Sequence, residues 1–157
     1  MKPQLAVAWD KPLDKLKYPL IAEPKLDGVR CLCIIENGDI SFWSRDEKEF
    51  VNFDELKQEL IDDCFQTMDM VLDGEIVAKS GNFDDTISRS RSHKGKNTHI
   101  DYEFHVFDVY DTIRNLFERK RDLLSLIQCA KVPHMKTVPW IICDTPAELQ
   151  AICLTNE

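Results

Sequence analysis

Apolar and polar positions along the 157 residues predict a strand-rich first two thirds with helices inserted, then an α/β tail. Residues 18–22 form a short apolar run that reads as a strand. Residues 29–35 and 39–45 are β-rich runs on either side of Asn37-Gly38. That dipeptide tolerates the positive φ of a tight turn, so the two runs predict a hairpin. Residues 70–78 read as a strand interrupted by Asp73-Gly74-Glu75, and residues 102–110 as another, rich in aromatics and valine. Residues 137–142 give the last strand. Helical spacing appears at Leu56, Leu60 and Ile61, behind Asn52 as N-cap with Glu55 as its reciprocal partner. Leu116, Leu123, Leu124 and Ile127 mark a second helix, with Glu118-Arg119-Lys120-Arg121 on its outer face. Thr145 caps a third, with Pro146 at its first position and Glu148 completing the box. Strands and helices do not alternate regularly. The pattern predicts an α+β fold with mainly antiparallel sheets and flanking helices rather than a doubly wound one.

Composition narrows the class. Hydrophobic residues make up 43% of the chain and charged residues 31%, which excludes a disordered or collagenous protein. The length suits one domain or a piece of a larger one. No apolar run approaches the roughly 18 residues of a membrane span. The first ten residues hold too short an apolar stretch for a secretory signal, so an intracellular, non-membrane protein is expected. The six cysteines contain no C-x-x-C pair and are expected to be reduced and mostly in the core. His93, His99, His105 and His134 have no ligand-like spacing. The net charge of −8 disfavours nucleic-acid partners on its face. Residues 87–99, however, hold Arg89, Arg91, Lys94 and Lys96 and no acid. A basic loop on an acidic protein suits contact with a phosphate backbone. The plainer alternative is a solvated loop.

The chemistry concentrates in Glu23-Pro24-Lys25-Leu26-Asp27-Gly28-Val29-Arg30. Lys25 lies between an apolar strand and a glycine-containing turn, with an arginine just beyond. A lysine shielded from water beside other cations becomes a better amine nucleophile. Asp27-Gly28 offers a tight turn that aims Lys25 and Arg30 into one cleft. Alone, this segment also reads as a charged surface turn.

Taken with later segments, it resembles the covalent nucleotidyltransferases: ATP-dependent DNA ligases, RNA ligases and mRNA capping enzymes. The family's nucleophile motif, K-x-D-G-x-R, matches Lys25 to Arg30. Its next motif looks like Ser44-Arg45, its third like Leu72-Asp73-Gly74-Glu75, and the following aromatic strand like Val106-Phe107-Asp108. The four occur in the family's order. The resemblance implies an ATP-grasp-like nucleotidyltransferase adenylation domain. Lys25 would attack the α-phosphate of ATP to give a lysine–AMP phosphoramidate, with Mg2+ neutralising the leaving group. Arg30 and Arg45 would hold ribose or phosphate oxygens. Glu75 would accept from a ribose hydroxyl or help hold the metal. Phe107 would stack on the purine, and Glu23 would accept from the adenine amino group. The partner implied is nicked duplex DNA, with the roles in repair, replication and recombination general to DNA ligases. A capping guanylyltransferase, an RNA ligase and a non-catalytic nucleotide-binding remnant are the alternatives. Without the other motifs, Phe107 also reads as a core aromatic, Glu75 as a turn acid, and Arg45 as a hairpin-edge charge paired with Asp46 or Glu47.

The resemblance is incomplete. The family continues with a Glu-Gly motif and then a K-x-K pair of lysines. Neither occurs beyond the aromatic strand, and none of the five glycines lies beyond residue 95. Residues 147–152 resemble the helix that precedes the Glu-Gly motif, and the family's C-terminal OB-type domain is not expected within these 157 residues. The expectation is that residues 1–157 are the N-terminal part of an adenylation domain, from a split or interrupted gene or a decayed remnant. Such a piece would carry the nucleophile and one side of the nucleotide pocket. An incomplete sheet would expose a strand edge and favour a completing C-terminal ligase fragment as partner.

Overall fold

The computed structural model describes residues 8–155. In chain order the elements are β1 (Leu20–Ala22), β2 (Val29–Glu36), β3 (Asp39–Ser44), β4 (Glu49–Phe50), α1 (Asp54–Asp62), β5 (Met70–Ala78), α2 (Phe83–Arg91), β6 (Tyr102–Val109), α3 (Leu116–Cys129), β7 (Met135–Thr137), β8 (Ile141–Cys143) and α4 (Pro146–Thr155). The described residues divide into two compact units, 26–137 and 8–25 with 138–155.

In the larger unit six strands form one sheet in the order β4-β3-β2-β5-β6-β7. Every neighbouring pair is antiparallel except β6 and β7, as the irregular alternation of strands and helices predicted. The β2–β3 hairpin turns on Asn37 and Gly38, with φ of 52° and 84°. Period-two alternation sends Cys31, Cys33 and Ile35 of β2, Leu72 and Ile76 of β5, and Phe104 and Val106 of β6 into the core. Leu56 and Leu60 of α1 and Leu123 of α3 join the same cluster. Phe53 ties it together, its ring within 6 Å of those of Phe42, Phe50 and Tyr102. Each fully buried side chain of this size contributes about 1.5–3 kcal/mol.

Two glycines are required by close approach. A Cβ on Gly74 would stand 2.5 Å from the His105 carbonyl oxygen and 2.6 Å from a ring carbon of Phe104. A Cβ on Gly28 would meet the Ile76 carbonyl oxygen at 2.3 Å. The expected tight turn at Asp27-Gly28 is absent. The chain runs through a bend into β2, and Gly28 lets it pass close over β5.

In the smaller unit β1 and β8 pair antiparallel, from Leu20↔Cys143 to Ala22↔Ile141. Helix α4 begins at Pro146 as expected. The Glu148 N–H donates to Thr145 Oγ1 at 3.3 Å, but the Glu148 carboxylate accepts from the Asp144 N–H at 2.7 Å, one residue further back than a capping box requires.

Several expectations are corrected. Helix α1 is capped at Phe53 without a side-chain bond, because Asn52 and Glu55 are drawn into tertiary contacts described below. Residues 137–142 are not one strand: β7 ends in the larger unit and β8 begins in the smaller. Helix α2 occupies the start of what read as a basic loop, with Asn82 as its N-cap. The capping box lies on α3, between Asn115 and Glu118. All six cysteines are free, but only Cys31, Cys33 and Cys143 are buried. Burial pushes the Cys31 and Cys33 thiols well above their ordinary range. Among the described residues no helix is long and apolar enough to cross a membrane.

The two kinds of glycine separate experimentally. Gly74→Ala forces a methyl into packed backbone and is expected to cost about 3 kcal/mol, the upper end of overpacking. Gly38→Ala has open space and pays only for its φ, about 1 kcal/mol. Urea unfolding midpoints of the two variants should rank in that order.

Candidate active site

The sheet face opposite the core is partly exposed and carries polar side chains beside apolar ones such as Leu32 and Val71. It carries Arg30 of β2, Asp73 and Glu75 of β5, and His105 and Phe107 of β6. Register sets these side by side: Arg30 opposes Glu75, and Glu75 opposes His105. Asp73 opposes Asp108 while Gly74 opposes Val106, so Phe107 is an extra residue, a β-bulge in β6. The bulge lets two successive residues, Phe107 and Asp108, serve the polar side.

Arg30 is the hub. Its Nε donates to Asp73 Oδ1 and its Nη2 to Asp73 Oδ2, both at 2.5 Å. This is the two-pronged geometry that a guanidinium forms with a carboxylate. Its guanidinium carbon also lies 4.6 Å from the centroid of the Phe107 ring. Burial pushes the Asp73 carboxyl above the usual carboxylate range. Arg30 and Lys120 pull it back, and Asp108 adds to the rise. Asp108 is held by Arg119 of α3, through Nε at 2.9 Å and Nη2 at 3.0 Å. The buried Lys120 donates to the Phe107 carbonyl. His105 Nε2 lies 3.0 Å from Glu103 Oε2. A half-buried aromatic ring beside a clamped arginine and a carboxylate suits a flat ring system bearing hydroxyl or phosphate groups.

Of the residues singled out in the sequence, Arg30, Glu75 and Phe107 share this face. Arg45 follows β3, is exposed, and lies 3.8 Å from Asp46, the hairpin-edge pairing that was the alternative for it. Glu23 and Lys25 are exposed on the irregular segment after β1, in the smaller unit. Lys25 is therefore not shielded from water as the sequence suggested. Among the described residues no three His, Cys, Asp or Glu side chains group as a metal site.

The basic segment needs a sharper correction. Arg89 is 1% exposed. Its Nη2 binds Glu55 Oε2 at 2.8 Å, and its guanidinium carbon lies 5.0 Å from the Tyr102 ring centroid. Arg89 is a core cation and leaves the set of surface charges. Arg91, Lys94 and Lys96 remain exposed. The turn carrying the two lysines is shaped by buried Asn52. Its Nδ2 donates to Ser92 O and Ser92 Oγ at 2.8 Å and to His93 O at 3.1 Å, while its Oδ1 accepts from the Gly95 N–H at 2.8 Å.

Sequence reasoning missed Asp73, Asp108, Arg119 and Lys120. Asp73 carried a signal, since it lies two residues before Glu75 on a strand and so shares its face. Arg119 and Lys120 read as an outer charged face, whereas Lys120 is 2% exposed.

The family model described as "ATP dependent DNA ligase domain" matches residues 1–155. No curated protein sequence matches the chain. Among solved structures, "Pmar-Lig_PreS3" superposes with a TM-score of 0.76 at 27% identity, over 87% of this chain and 34% of its own. Chlorella virus DNA ligase-adenylate gives 0.67 at 22% identity, over 96% and 53%. The ATP-dependent DNA ligase from bacteriophage T7, in complex with ATP, gives 0.58 at 20% identity, over 90% and 54%. The chain thus spans about a third of the first relative and about half of the other two. With a family match over nearly its whole length and the shared fold of these ligases, the chain belongs to the family of ATP-dependent DNA ligase domains.

Proposed function

We propose that this chain is the nucleotide-binding part of an ATP-dependent DNA ligase adenylation domain, with Lys25 as the residue that takes AMP from ATP. The observation that carries the reading is the Arg30–Asp73–Phe107 assembly, formed by residues of three family motifs on one sheet face. Phe107 supplies a π surface for the purine. Arg30 meets ribose or phosphate oxygens, Arg45 supplies a second cation, and Glu75 accepts from a ribose hydroxyl. Glu23 accepts from the adenine amino group, which favours ATP over GTP. Lys25 precedes Arg30 by five residues, a tether of at most about 18 Å.

In the reaction the Lys25 amine nitrogen forms a bond to the α-phosphorus. The bond from that phosphorus to the bridging oxygen breaks, pyrophosphate leaves with the electron pair, and the amine loses a proton. Magnesium, when bound, neutralises charge on the leaving pyrophosphate. Glu75 is the carboxylate that would help hold it, with water and phosphate oxygens as the other ligands such an ion accepts. Arg91, Lys94 and Lys96 contact the backbone of a nicked duplex. A segment bearing the Glu-Gly and K-x-K motifs completes the domain.

Label transfer tests the nucleophile. Mixed with a ligase C-terminal segment carrying those two motifs, the chain is expected to take acid-labile label from ATP with Mg2+. Lys25→Ala should abolish the label while the melting curve stays unchanged. Label persisting on that variant overturns the assignment, and label from GTP instead of ATP points to a capping enzyme.

The surface cations are read by salt dependence. Each phosphate contact on duplex DNA adds about 0.9 to the slope of log affinity against log salt. Replacing Arg91, Lys94 and Lys96 together with Ala should flatten that slope by about three units. Arg89→Leu should leave the slope unchanged and lower stability by about 2–4 kcal/mol, through lost packing around a large buried side chain. A slope that falls with Arg89 and not with the other three reverses the division.

A further inference from the structure

Lys120 is the anomalous charge of α3. It is 2% exposed, while its neighbour Arg121 reaches solvent. A buried ammonium is costly unless it is hydrogen-bonded and balanced by opposite charge, and replacing buried charged groups together with their partners by apolar residues is often neutral or stabilising. A role in packing α3 alone therefore does not call for lysine. One partner of Lys120 is the bulge itself: its Nζ donates to the main-chain carbonyl of Phe107. The same Nζ lies 5.9 Å from the centroid of the Phe107 ring, and its charge also bears on Asp73. Pairing of β6 with β7 ends at Val106↔Thr137, so Phe107 is the first residue of β6 beyond that ladder. Its neighbours Val106 and Asp108 are in register with β5, while Phe107 itself, the bulge residue, is bonded by a side chain from α3.

We infer that Lys120 is the positioning residue for the Phe107 ring: its buried ammonium pins the bulge carbonyl and so sets how that ring is presented on the nucleotide face. The inference rests on the reading of Phe107 as the purine platform. Lys120 itself touches no substrate. Loosening the pin should change ring orientation first and nucleotide affinity as a consequence.

The test uses the full chain with Lys120→Met, Lys120→Gln and Phe107→Leu. Without ligand, the δ protons of Arg30 report the ring current of Phe107 by NMR. Their shifts are expected to move in Lys120→Met and to move less in Lys120→Gln, whose amide still donates. Unmoved shifts in both variants overturn the inference. With ligand, Lys120→Met should weaken adenosine and ATP by the same factor, about tenfold, and add nothing in the Phe107→Leu background. A loss that grows with phosphate number, or that persists in full without the Phe107 ring, shows Lys120 acting otherwise and also overturns it. Should Lys120→Met not fold, Lys120→Gln carries the same comparison at about threefold. If Phe107→Leu leaves adenosine binding intact while the Arg30 shifts still respond to Lys120, the purine reading falls and the pin stands.

Discussion

The grip of Arg30 on Asp73 is the contact from which the polar face takes its shape. The two residues stand 43 positions apart and meet because β2 and β5 are neighbours in the sheet. Their charges are only partly solvated, at 22% and 16% exposure, so the attraction is offset by the cost of removing both from water. The pair is therefore weak as a source of net stability and strong as a geometric constraint. It fixes a guanidinium in one orientation, with its carbon over the Phe107 ring. One ion pair thus joins the nucleophile motif, the Asp-Gly-Glu motif and the aromatic strand.

The opposite face solves a different problem with the same strands. Cys31, Leu72, Ile76, Phe104 and Val106 alternate with the polar set and bury completely. Gly74 is the point where the two demands meet. It sits between Asp73 and Glu75, must point to the core, and has no room for a side chain because β6 crosses at bonding distance. The register shift beside it gives the bulge that turns Phe107 and Asp108 to one side. A strand with perfect alternation would have sent one of them into the core.

Much of this was legible from local rules. The Asn37-Gly38 hairpin, the β5 and β6 strands, α3 and the start of α4 follow from turn chemistry and periodicity. Arg30, Glu75 and Phe107, drawn from three motifs, come to one sheet face through the pairing of β2, β5 and β6. The clearest failures are tertiary. Asn52 has the right residue type and spacing for a cap, but its amide is taken by a turn forty residues away. Arg89 was counted among surface cations because charge was summed along the chain. Its burial depends on Glu55 and Tyr102, which no local window contains. Helix α2 did carry a signal that the count of cations obscured: Asn82 as cap, acids in the first turn and arginines in the last. The bulge has no sequence signature of its own.

Asn52 reaches from the edge of the core to an exposed turn and satisfies the Gly95 amide with an oxygen that water does not reach. A surface segment ordinarily exchanges its amide protons through small, local openings. Here the acceptor is a buried side chain next to Phe53 rather than another exposed group, so the turn that carries Lys94 and Lys96 is anchored to the edge of the core.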